Sequence, residues 1–185
     1  SQRAVPASLI DPKNKNRSRL HYAVANTEVA LVKDPDAWAL LLDPDGFVTE
    51  GTGANFFVVS DGKLLTPEPR NILRGITRSH TMELAQQLGI PVVQTNLDLY
   101  DVIHADEAFY TSTPFCTLPC SQINGLPIGD GKGMGPVTKR LLDAWSESVD
   151  VDIVKQAKGF AEKAKHGPSG GANMYQISAP TTRKS

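Results

Sequence analysis

A mixed β-sheet with helices packed outside it is the architecture this sequence predicts, on three observations. Apolar runs of strand length are interleaved with segments whose apolar residues recur at helical spacing. Asp-Gly and Asn-Gly pairs join neighbouring runs as tight hairpin turns, which makes the joined strands antiparallel. The interleaving is not a strict strand–helix–strand alternation, so the sheet is mixed rather than all parallel. At 185 residues the chain can bury a substantial core.

The elements follow in order. Residues 1–14 are polar and punctuated by proline, and read as an extended lead-in. From Ser18 to Lys33 the spacing predicts a helix, with Ser18 as its N-cap. The continuous apolar run AWALLLD (37–43) suits a strand buried on both faces. Asp45-Gly46 turns the chain into the strand FVTEG, and Asp61-Gly62 turns the strand NFFVVS into KLLT. A second helix starts near Gly75-Ile76-Thr77, runs through RSHTMELAQQL and ends at Gly89 ahead of Pro91. VVQTNL is a strand, DLYDVIHA a short helix and EAFYTST another strand; LPCSQINGLPIG is a hairpin turning at Asn124-Gly125. PVTKRLLDAWSESV is a third helix with proline in its first turn. Residues 151–185 are small, polar and rich in Gly, Pro and Lys, and read as a mobile tail or appended segment.

Composition removes several classes of function. Acids and bases nearly cancel, for a net charge of −1, and neither sign is massed, whereas nucleic-acid and anionic-membrane binding want a basic field. No apolar run reaches membrane-spanning length, and the N-terminus has no secretory h-region. Cys116 and Cys120 form a lone C-x-x-x-C without a second pair or clustered histidines, so no metal site is expected. Scarce cysteine suits a reducing cytoplasm. GDGKGMG (129–135) lacks the Ser or Thr that must follow a P-loop lysine, since Gly133 stands there. DPDGFVTE imitates a calcium loop, but its glycine comes too early.

The segment from Asp43 to Thr66 carries the most chemistry. Glu50 sits where a strand runs into the corner Gly51-Thr52-Gly53, and glycines there let a ligand approach the backbone. Taken alone, Glu50 also reads as a solvated hairpin-end carboxylate. The Gly75-Ile76-Thr77 corner aims free N–H groups, a helix dipole and a hydroxyl at one point, which suits an anion or simply a helix cap. Tyr110-Thr111-Ser112-Thr113-Pro114 ends a strand in three hydroxyls, an arrangement also common in turns. Lys15, flanked by Asn14 and Asn16, reads from spacing alone as an ordinary exposed lysine.

Taken together, Lys15-Asn-Arg-Ser-Arg-Leu, DGFVTEGTGANFF, LLTPEPRNILRGITR, ADEAFYTSTPFCTLPC and INGLPIGDGKGMGPVTKRL resemble the fold-type IV (class IV) pyridoxal-phosphate enzymes. That family includes branched-chain and D-amino-acid aminotransferases and aminodeoxychorismate lyase. The resemblance implies an irregular mixed-sheet pseudobarrel, the large domain of such enzymes. It divides the chain into residues 1–14 (the end of an interdomain linker), 15–150 (the cofactor-binding large domain) and 151–185 (the tail).

The resemblance also implies roles. Lys15 falls on the Schiff-base lysine and Glu50 on the carboxylate paired with the pyridine nitrogen of pyridoxal 5'-phosphate. Ile76 and Thr77 fall on the phosphate cup, and Ser112 and Thr113 on a second phosphate and substrate-side loop. A carboxylate there keeps the ring nitrogen protonated, and a neutral lysine amine can hold the aldehyde and then shuttle a proton. The implied reaction is amino transfer between an amino acid, by default a branched-chain one, and a 2-oxo acid, in a cytoplasmic homodimer. Two departures matter. Leu20 stands where many aminotransferases of the family carry a tyrosine, and Tyr22, two residues on, falls on a different helical face. The Lys-x-x-x-Arg-Leu pattern resembles the lyase branch, which keeps β-elimination open and gives Arg19 part of the tyrosine's duty. Nothing in residues 1–14 replaces the family's N-terminal domain, so a separate domain or chain, or a catalytically silent domain, is a further alternative.

Overall fold

The strand β3 (Ala54–Ser60) organises the molecule, because it is apolar on both faces and pairs on both edges. In the computed structural model, which describes residues 6 and 8–166, it lies between β6 (Glu107–Ser112) on one side and β2 (Val48–Gly51) and β4 (Lys63–Pro67) on the other. β1 (Leu40–Leu42) pairs with β2, β5 (Val92–Thr95) with β4, and β7 (Cys116–Cys120) with β6. Only β4 and β5 run parallel; the connection between them contains α2 (Ile76–Gln87), as a parallel crossover requires. A small separate hairpin, β8 (Gln122–Ile123) and β9 (Leu126–Pro127), turns at Asn124-Gly125 with both residues at positive φ, as expected of an Asn-Gly turn. The mixed sheet with outer helices is therefore what the molecule adopts.

Alternation along β3 assigns the two cores. Phe56 and Val58 enter a cluster with Val102 of α3 (Leu99–Ile103) and with Ala108 and Tyr110. Phe57 and Val59 enter the other, with Leu84 and Ala85 of α2 and Leu141 and Trp145 of α4 (Pro136–Ser148). Phe57 and Phe109 stack across β3 and β6 with centroids 5.2 Å apart. Each fully buried ring of this kind stabilises by roughly 2–3 kcal/mol. The α4 residues Thr138, Leu141, Leu142 and Trp145 are buried at helical spacing, so one stripe faces the sheet.

Three expectations need correction, and a fourth is met only in part. The lead-in is folded into turns, with Leu9 N–H donating to Pro6 O and Asn14 N–H to Asp11 O. Ser18 caps nothing: Arg19 adopts a left-handed φ of 49°, a 3-10 turn spans Leu20–Tyr22, and only then does α1 (Ala23–Val32) begin. The run 37–43 is buried on both faces as expected, Leu40 and Leu41 entering different clusters, but it yields only the three-residue β1, at one end of the sheet, and Trp38 is exposed. Past Ser148, where a tail was expected, residues Ile153–His166 form helix α5, whose Ile153 packs against the core; the rest of that segment lies outside the described residues. No helix among the described residues is long and apolar enough to cross a membrane.

Candidate active site

Two sequence features converge on one cleft. Lys15, in the lead-in, and Glu50, at the end of β2, both line a cavity of ≈ 80 Å³ together with Arg19, His21, Tyr22 and Gly53. That is well beyond the roughly 10–15 Å³ that one water needs. Lys15 reaches the cleft from an exposed stretch, whereas Glu50 is only 6% exposed.

Glu50 owes its position to strand register. It faces Asn55 across the β2–β3 hairpin, and Asn55 faces Thr111 across β3 and β6, so the three share one face of the sheet. Asn55 Nδ2 donates to Glu50 Oε2 at 3.2 Å and to Leu73 O at 2.8 Å, while Leu73 N–H donates back to Glu50 Oε2 at 3.0 Å. On the other oxygen, the Tyr22 hydroxyl donates to Glu50 Oε1 at 3.2 Å. Burial pushes the Glu50 carboxyl up to about 7, and the donors from Leu73 and Tyr22 pull against it. Burial, followed by the Glu50 charge, pushes the Tyr22 phenol up, so it stays protonated and can only donate to the carboxylate. His21 Nδ1 is buried without a partner among the described residues, and burial holds its imidazole below the usual value.

The start of α2 lies against the same machinery. Its N-cap Gly75 sits so close to Asn55 that a Cβ there would stand 2.3 Å from Asn55 Oδ1. The first N–H groups of a helix have no partner within it, so the Ile76 and Thr77 amides have none within α2, and Ile76 is 88% exposed. Ser112 is one hydrogen bond from the cleft: its hydroxyl donates to the carbonyl of Gly53 at 3.0 Å. Thr113, next in the chain, is exposed. The expected residues thus fall into two groups. Lys15 and Glu50 share the cleft wall; Ile76, Thr77, Ser112 and Thr113 lie at a helix start and a strand end that adjoin it through Asn55 and Gly53.

Three contributors escaped sequence reasoning. A continuous helix would place Tyr22 on a different face, but the 3-10 turn after Arg19 brings it to the cleft wall. Asn55 had a signal, as a lone amide in the apolar run ANFFVV. The Leu73 N–H had none, being backbone.

Comparison with known proteins shows the family. Residues 1–123 match amino-transferase class IV, and the chain belongs to that family. A branched-chain-amino-acid aminotransferase of Pseudomonas aeruginosa is 40% identical over 111 residues, 60% of this chain and 36% of that protein. A crystal structure of the T.th. branched-chain amino acid aminotransferase with pyridoxamine 5'-phosphate superposes with a TM-score of 0.75 at 35% identity. It is matched over 80% of this chain and 48% of that one. The PLP form of the branched-chain amino acid aminotransferase from Thermobaculum terrenum gives 0.75 at 33% identity, over 80% and 48%. The chain spans about half, or less, of the length of these relatives.

Proposed function

We propose that this chain is the cofactor-binding part of a pyridoxal-phosphate-dependent aminotransferase that moves an amino group between an amino acid, of branched-chain type, and a 2-oxo acid. One observation carries the reading: an amine, Lys15, and a buried carboxylate, Glu50, line the same cleft. The residues fit the cofactor, since the cleft offers an amine for an aldehyde and a carboxylate for a ring N–H, and the α2 start beside it offers amides for a phosphate. Relatives named for branched-chain substrates, and neighbours holding pyridoxamine phosphate or PLP, support the choice of substrate and cofactor.

When bound, the cofactor supplies an aldehyde that exchanges amines and a ring that accepts electrons from the substrate's Cα. The chain does the rest. Lys15 would hold the aldehyde end, and its free amine would serve as the general base for the substrate's Cα proton. Glu50 holds a proton on the ring nitrogen. The Ile76 and Thr77 amides, with the Thr77 hydroxyl, hold the phosphate at the positive end of α2, and Ser112 and Thr113 close that side. A homodimer, or a complementing N-terminal domain, completes the site. A cytoplasmic location suits the two free thiols, Cys116 and Cys120.

The test is the visible absorption of the purified chain with added pyridoxal phosphate, before and after borohydride, with peptide mapping of the modified lysine. A label on Lys15 supports the reading, and a label elsewhere or a colourless chain overturns it. One observation favours the eliminating alternative: Arg19 lines the cleft while Leu20 points away, at 76% exposure. Pyruvate released without an amino acceptor would select that outcome.

A further inference from the structure

Glu50 presents two unlike oxygens. Oε2 accepts two protein donors, the Leu73 N–H and Asn55 Nδ2, which fills its ordinary capacity. Among the described residues the one donor to Oε1 is the Tyr22 hydroxyl, which leaves that oxygen a second acceptor position. Glu50 and Tyr22 both line the cleft.

We propose that Tyr22 is a positioning residue: its hydroxyl pins Glu50 Oε1 so that the carboxylate's one remaining acceptor position faces the cleft, ready for the ring N–H of a bound pyridine. The proposal rests on the cofactor reading above and adds a residue to it. Without the hydroxyl, the carboxylate is fixed through one oxygen alone and the other can turn. Tyr22 is itself held: the left-handed Arg19 and the following 3-10 turn set its backbone, and the His21 ring lies 3.9 Å from its own, centroid to centroid. It is also a dependable donor, being half-buried and kept protonated beside a carboxylate. The titratable groups sharing the cleft with the pair are Lys15, Arg19 and His21. The neighbours contributed by β3 and by the loop before α2, namely Asn55, Asn71 and Leu73, are neutral. The hydroxyl is therefore a neutral donor that stabilises the ionised carboxylate, and its removal should raise the protonation midpoint of Glu50.

The experiment is a carbon-13 NMR titration of the Glu50 carboxyl in the whole 185-residue chain without cofactor, the signal assigned by its loss in E50Q. In Y22F the Glu50 midpoint should rise by about one unit, as a hydrogen bond to a charged group implies. A purely structural role would lower the melting temperature without moving that midpoint, and an unmoved midpoint overturns the proposal. If Y22F does not fold, 3-fluorotyrosine incorporation preserves the fold and strengthens the donor. The midpoint must then fall, and constancy overturns the proposal equally. Loading Y22F with pyridoxal phosphate separates the two readings. Uptake on Lys15 with the acid limb of the rate profile shifted upward supports both. A raised midpoint in wild-type and variant chains that take up no pyridoxal phosphate overturns the function proposed above and the ring-facing half of this proposal.

Discussion

Asn55 and Glu50 sit opposite one another on β3 and β2, and a single amide nitrogen, Asn55 Nδ2, spans from Glu50 Oε2 at 3.2 Å to the Leu73 carbonyl at 2.8 Å. Leu73 N–H closes the circuit at 3.0 Å. The sheet therefore holds the loop before α2 through Asn55 and the candidate cofactor-binding carboxylate, and the site and the fold share their hydrogen bonds. Such shared networks respond to single changes by more than one bond's worth.

The pH dependence of stability follows from Glu50. Its folded-state midpoint, about 7, lies above the ordinary 4.5, so between those values the folded chain binds more protons than the unfolded one. Stability from this group is full below 4.5 and is lost as pH rises towards 7. The loss is on the order of 3 kcal/mol. The cofactor-free chain should therefore become easier to denature by urea from about pH 4.5 to about 7.5, and E50Q should lack that slope. Equal slopes would mean that Glu50 is not protonated by burial. In the loaded enzyme E50Q should keep the cofactor and slow Cα proton removal about 100-fold or more.

Gly75→Ala tests the link between α2 and the site. Gly75 has φ −67° and ψ 140°, which alanine accepts freely, so any effect is steric. The new methyl would lie 2.3 Å from Asn55 Oδ1 and must displace that amide from Glu50 and Leu73. A cost of about 2–3 kcal/mol is expected, since buried polar partners lose their bonds. The Glu50 titration should move with it. A neutral Gly75→Ala would show that Asn55 has room to yield.

How much of this was legible depends on what kind of signal each residue carries. Glu50 was found because a charge at a glycine corner breaks an apolar pattern, and the helix at Gly75 because glycine and threonine punctuate it. Lys15 was legible only through likeness to a family, since nothing in its own neighbourhood marks it. Tyr22 was misread because Arg19 adopts a left-handed φ, which no residue pattern announced for an arginine. The run 37–43 shows its burial in its apolar residues but not its short length, and Leu41 of β1 finds its cover from Ala25 and neighbouring residues at the sheet's end. Helix α5 was hidden by composition: its lysines and alanines resemble a tail but are also good helix formers.

Arg78 offers a test of charge burial. It is 3% exposed, and its guanidinium donates to Thr66 Oγ1, Pro67 O and Gln94 Oε1, all neutral acceptors. Burial, then the neighbouring Arg74, lowers its pKa. Arg78→Ala loses these bonds and leaves a void, and should cost about 3 kcal/mol in urea denaturation. Arg78→Met refills most of the volume and relieves the buried charge, so it should cost about half as much. A methionine variant more stable than the wild type would show that desolvating the charge outweighs its three bonds.

The same logic at the far end of the sheet joins β6 to α4. Glu107, 4% exposed at the start of β6, accepts from Val137 N–H at 2.8 Å on Oε1 and from Thr138 N–H at 2.7 Å on Oε2. It caps a helix from another element, because Pro136 supplies no N–H and Gly135, the N-cap, supplies no side chain. A carboxylate at a helix start also gains from the dipole. Gly135 leaves the room it needs: a Cβ there would stand 2.2 Å from Glu107 Cδ. Its φ of −89° suits any residue, so Gly135→Ala acts only by expelling the carboxylate. Glu107→Ala and Gly135→Ala should each cost about 2–3 kcal/mol. Since both break the same cap, the double variant should cost little more than either alone. Additive losses in the double-mutant cycle would show that Gly135 acts on α4 by some route other than Glu107.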